Sequence, residues 1–120
     1  SEKVITEGLV KLGLLDGDPE ELHKSGAYKE FYMHKIGHWL GLDVHDAGDY
    51  VEGEEYMKFK PGMITTIEPG IYISSSMEID DKWKGIGIRI EDDILVTKDG
   101  NENLTKKVPS DPEEIESLMS

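Results

Sequence analysis

Apolar positions recur at helical spacing over residues 2–15, where Val4, Ile5, Leu9, Val10, Leu12 and Leu15 form a stripe and Gly13 stands near the end. The spacing predicts an amphipathic helix. Asp18-Pro19-Glu20-Glu21 announces a second, short helix, with Asp as N-cap, Pro at the first helical position and Glu two residues later; Asp111-Pro112-Glu113-Glu114 repeats the signature and opens a closing helix to about Met119. Between them the pattern turns to strands. Residues 31–33 are short and aromatic, and Lys60-Pro61-Gly62 is a turn signal before strands at 63–67 and 70–73. Residues 74–83 read as a polar loop. Ile86, Ile88, Ile90, Ile94 and Val96 alternate with Gly87, Arg89 and Glu91, predicting one period-two strand interrupted at Asp92-Asp93 and closed by a turn at 98–101. The layout is α+β, an antiparallel sheet packed with helices.

This alternation carries chemistry. It sets Arg89 and Glu91 on one strand face, and Glu68 on the face of Thr66 and Ile64 at a strand end stopped by Pro69-Gly70. Two glutamates on neighbouring strands, joined by an imidazole from His38, form a hard-to-borderline donor set suited to Mn, Co, Fe or Zn ions. Three donors without a thiolate are enough to hold one metal openly, or part of a two-metal hydrolytic centre. Taken singly, each residue has a plainer role: His38 as a satisfied structural histidine, Glu68 as a strand terminator, Glu91 as the ion-pair partner of Arg89. His34 and His38 are four apart like the histidines of an H-E-x-x-H helix, but Lys35 occupies the glutamate position and Gly37 weakens a helix there. His23, Trp39 and Trp83 are read as surface or packing residues.

Composition narrows the partners. With 26 acidic against 13 basic residues, the formal charge of −13 argues against nucleic acid or an anionic membrane. No apolar run approaches the ~18 residues of a membrane span. The chain has no cysteine, which excludes disulfides and thiolate–metal sites and fits a cytoplasmic location.

Read in order, the segments HWLGLDVHD (38–46), IEPGIYI (67–73), GIGIRIEDDILVT (85–97) and GNENLT (100–105) resemble the C-terminal half of the catalytic domain of the aminopeptidase P family. That family belongs to the pita-bread metallopeptidases. The resemblance implies half of a pita-bread fold over residues 1–120, with the N-terminal half absent. It implies that His38, Glu68 and Glu91 are metal ligands, with Glu68 also the proton shuttle and Glu91 the carboxylate shared by two divalent ions, manganese before cobalt, zinc or iron. His45 matches a histidine that contacts substrate and stabilises the tetrahedral intermediate, His34 a histidine that either supports a metal ligand or faces the substrate, Arg89 the arginine supporting the bridging glutamate, and Tyr72 a pocket-lining tyrosine. The implied reaction is hydrolysis of the bond before a penultimate proline, on a peptide substrate.

There are two departures from the pattern. Lys35 stands where the family commonly has glycine, which bears on substrate preference more than on metal. The family's two further aspartate ligands have no counterpart before His34, since Asp16 and Asp18 fall between helices. The expectation is therefore an expressed fragment or truncated gene product, inactive alone, binding metal weakly or not at all, with exposed surface that favours a homodimer. Prolidase is the in-class alternative, and a non-enzymatic pita-bread binding module the alternative from another class.

Overall fold

The computed structural model describes all 120 residues. Three helices, α1 (Glu2–Lys11), α2 (Pro19–Ser25) and α3 (Pro112–Met119), accompany seven short strands: β1 (Val51–Glu52), β2 (Glu55–Tyr56), β3 (Ile64–Ile67), β4 (Gly70–Tyr72), β5 (Gly87–Arg89), β6 (Asp92–Val96) and β7 (Asn101–Asn103). The α+β expectation holds. The chain divides into two compact units, one of residues 1–36 and 69–89, the other of 37–68 and 90–120.

The helix punctuation behaves as its chemistry requires. Asp18 accepts from the amides of Glu20 and Glu21, and Asp111 from those of Glu113 and Glu114, so each cap satisfies donors that have no partner within the helix. Helix α1 stops at Lys11, four residues short of the apolar stripe, because Gly13 turns the chain at φ +72°.

In the first unit, Ile5 and Leu9 of α1 bury against Tyr28, Phe31, Tyr32 and Ile73. The aromatics 31–33 are not a strand. They follow a 3-10 turn at Ala27–Glu30, and Phe31 and Tyr32 are buried while the Phe31 carbonyl accepts the Tyr72 amide at 2.8 Å. Burial, rather than ladder pairing, explains why those side chains are aromatic. Strands β4 and β5 pair antiparallel, Gly70 with Arg89 and Tyr72 with Gly87.

The second unit holds an antiparallel sheet in the order β3–β6–β7. The single strand expected over 86–96 is in fact two, β5 pairing with β4 and β6 with β3, and the break falls at Ile90-Glu91 rather than at Asp92-Asp93, which both lie in β6. Ile88 and Ile90 are exposed, so the alternation did not mark a core face. A hairpin of β1 and β2 adds a two-residue loop whose first residue, Gly53, takes φ +68°; such loops favour glycine for that reason. No residue of α3 is buried.

Candidate metal centre

Register assembles the site. The β3–β6 ladder pairs Thr66 with Asp93 and Ile67 with Asp92, so one step further Glu68 stands opposite Glu91. Neither glutamate is in a strand; both flank strand ends. On the other side of β3, Trp39 bridges Thr65, with the Leu40 amide bonded to the Ile64 carbonyl and the Thr66 amide to the His38 carbonyl. His38 therefore lies level with Thr66. With a period of two along β3, His38, Thr66 and Glu68 share one side of the sheet. The 34–38 segment has no helix, which removes any H-E-x-x-H reading.

Gly37 makes this approach possible. A Cβ on it would sit 1.9 Å from the Thr66 carbonyl oxygen. Only a residue without a side chain lets the His38 main chain lie this close to β3.

One ligand atom each from His38, Glu68 and Glu91 lies within 4.8 Å of the other two. Donors on a shared divalent ion sit at about 2.0–2.2 Å from it, hence no more than roughly 4.4 Å apart. A spread of 4.8 Å lies within a few tenths of an ångström of that limit. His38 Nε2 and Glu68 Oε1, 3.4 Å apart, already have the spacing of two donors on one ion.

The imidazole is oriented for the task. His38 Nδ1 lies 3.0 Å from the Trp39 carbonyl, which can only accept, so Nδ1 carries the proton. In the neutral ring Nε2 then presents its lone pair to the Glu68 carboxylate. Two electron-rich atoms at 3.4 Å, with a second carboxylate across the ladder, are mutually repulsive as a pair. A divalent cation between such donors would turn that repulsion into coordination. The donor set fits a divalent transition ion.

Around these three, the expected site residues are distributed as follows. The His45 ring lies 4.3 Å from that of His38, edge to face, in the same unit. His34 belongs to the first unit, where Nδ1 donates to the Lys35 carbonyl at 2.7 Å and Nε2 accepts from the Tyr72 hydroxyl at 2.9 Å. Arg89 ends β5, also in the first unit, and is exposed. Trp39 is a packing residue, stacked on Tyr50 with ring centroids 5.4 Å apart.

Sequence reasoning did not single out Thr66, whose hydroxyl accepts from the His38 amide and donates to Glu68 Oε1. Nor did it find Thr105, which donates to Asp92 Oδ1 at 2.7 Å and accepts from the Asp93 amide at 3.1 Å, bracing the strand that follows Glu91. The Ile64–Thr66–Glu68 alternation was the available signal for the first; nothing local marks the second.

Metallopeptidase family M24 matches residues 2–98. The Xaa-Pro aminopeptidase of Escherichia coli K12 is 52% identical over 98% of this chain and 26% of its own length. Xaa-Pro aminopeptidase 1 of Streptomyces coelicolor is 40% identical over 100% of this chain and 25% of its own. The chain thus spans about a quarter of the relatives it matches. Among solved structures, Pseudomonas aeruginosa aminopeptidase PepP superposes with a TM-score of 0.94 at 56% identity, covering 98% of this chain and 27% of that one. A Glu383Ala form of Escherichia coli aminopeptidase P in complex with substrate gives 0.90 at 51%, again covering 98% of this chain and 27% of that one. The pita-bread expectation holds: the chain belongs to metallopeptidase family M24.

Proposed function

We propose that residues 1–120 are the C-terminal part of a catalytic domain that releases the N-terminal residue from peptides with proline in second position. The observation that carries this reading is the convergence of His38, Glu68 and Glu91 donors within 4.8 Å. His38 Nε2 and the carboxylates of Glu68 and Glu91 would hold a divalent ion. A divalent ion in such a site lowers the pKa of water and polarises the scissile carbonyl. Manganese is the ion proposed, on the hard carboxylate-rich donor set, and the cytoplasm the location, on the absence of cysteine.

Each residue then has a task. Nδ1–H of His38, bonded to the Trp39 carbonyl, keeps Nε2 available as a donor. Glu68 takes a proton from the attacking water and hands it to the leaving proline nitrogen; its small exposure keeps bulk water from competing for that proton. His45 hydrogen-bonds the developing oxyanion, a role supported by its 4.3 Å ring separation from His38. His34 and Arg89 are assigned substrate-side and supporting roles on the family resemblance; the Lys35 carbonyl, which only accepts, fixes the His34 tautomer and leaves Nε2 to the Tyr72 hydroxyl.

The test uses the full-length protein, freed of metal and reloaded with Mn²⁺, against an Xaa-Pro-Yaa tripeptide, an Xaa-Pro dipeptide and an Xaa-Ala-Yaa tripeptide. The expected result is metal-dependent release of the first residue from the proline tripeptide, abolished by His38→Ala. Preference for the dipeptide would indicate a prolidase. Absence of metal-dependent hydrolysis of any of the three would overturn the proposal.

A further inference from the structure

Three threonines are buried, and their hydroxyl protons go to different places. Thr6 donates to the Glu2 carbonyl at 2.8 Å, the ordinary back-bond of a helical threonine. Thr65 lies 3.0 Å from the His38 carbonyl and 3.2 Å from that of Thr66, both main-chain acceptors. Thr66 is different. Its hydroxyl contacts a side-chain carboxylate, Glu68 Oε1, at 3.1 Å, and the His38 amide at 3.0 Å.

The directions of these two bonds are fixed by chemistry. An amide N–H can only donate, so the Thr66 oxygen accepts from His38. Its single proton is then left for the carboxylate, which accepts when ionised. The hydroxyl cannot reverse without leaving the amide unsatisfied, and at 1% exposure water offers no substitute. The oxygen it reaches, Oε1, is the one His38 Nε2 faces at 3.4 Å.

We propose that Thr66 is a positioning residue for the metal ligands, an inference that rests on the metal-site reading above. One hydroxyl ties the main chain bearing the imidazole to the carboxylate oxygen that the imidazole faces. It thereby sets the separation of two donors and the rotation of the Glu68 carboxylate before any ion arrives. Hydrogen bonds of this outer kind are worth 10- to 100-fold in metal affinity.

The experiment compares Thr66→Val, which keeps the shape and removes the hydroxyl, with Thr66→Ser, which keeps the hydroxyl and removes a methyl. Both are made in the full-length, metal-stripped protein. Mn²⁺ affinity is measured by titration calorimetry, Co²⁺ coordination by its visible spectrum, and metal-free stability by thermal melting. The inference predicts that Thr66→Val binds Mn²⁺ about 10- to 100-fold more weakly with an altered Co²⁺ spectrum. Thr66→Ser should retain wild-type affinity to within about threefold although it loses buried packing. If Thr66→Val keeps both affinity and spectrum, or if Thr66→Ser loses as much affinity as Thr66→Val, the positioning role is overturned. Failure of the wild-type protein to bind Mn²⁺ or Co²⁺ at all would instead overturn the metal-site reading beneath it.

Discussion

Gly37 is where the architecture of the site is most exposed to a single atom. Replacing it by alanine adds a Cβ 1.9 Å from the Thr66 carbonyl oxygen and 2.8 Å from its carbon. Carbon and oxygen rest at about 3.3–3.6 Å even in a favourable contact, so the 36–38 segment must retreat by roughly 1.4 Å or more. Three bonds hold that segment to β3, each at 3.0 Å: the His38 amide to Thr66 Oγ1, the Thr66 amide to the His38 carbonyl, and Thr65 Oγ1 to the same carbonyl. A retreat of that size carries all three beyond hydrogen-bonding range. At about 1 kcal/mol net apiece the loss is about 3 kcal/mol, equivalent to a fall in Tm of roughly 6–12 °C in a domain of 150–250 residues. The same retreat pulls His38 Nε2 away from Glu68, so metal affinity should fall with stability. Thermal melting and Mn²⁺ titration of Gly37→Ala in the full-length protein measure both. A variant that melts within a degree or two of wild type and binds Mn²⁺ equally would refute the claim that close main-chain approach builds this site.

Other outcomes follow from the same structure. Gly8 lies inside α1, with nothing within 4 Å of where its Cβ would be and no positive φ; Gly8→Ala should stabilise by about 0.5–1 kcal/mol, read as a raised Tm. Thr105→Val removes the bonds to Asp92 and the Asp93 amide beside Glu91, and should cost about 1–3 kcal/mol by denaturant titration. The 120-residue segment by itself, with a single cluster of three donors, should show no turnover of a proline tripeptide with Mn²⁺ present; robust hydrolysis by it would contradict the reading of an incomplete ligand set.

Local chemistry was the legible part of the sequence. Asp18 and Asp111 announced their helices because a cap is satisfied by residues two and three positions away. Strands β3 and β4 could be bounded from Pro61-Gly62 and Pro69-Gly70, which punctuate them. Pairing was not legible. The run 86–96 looks like one strand in its own alternation, and only its partners, β4 for the first part and β3 for the second, divide it. Glu91 falls in that division, so its position opposite Glu68 came from the register of β6 and not from a shared strand face with Arg89. The aromatics at 31–32 signalled burial correctly and geometry wrongly, since a turn can bury a ring as well as a strand can. His38 and Glu68 were identifiable by type, whereas Thr66 and Gly37 gain their importance only from contact across 28 and 29 residues of chain.

The most direct measurement is anomalous diffraction from crystals of the full-length protein grown with Mn²⁺. The account predicts a metal peak at about 2.0–2.3 Å from His38 Nε2 and from a carboxylate oxygen of both Glu68 and Glu91. Manganese held by other side chains, with these three groups facing away from it, would contradict the central claim.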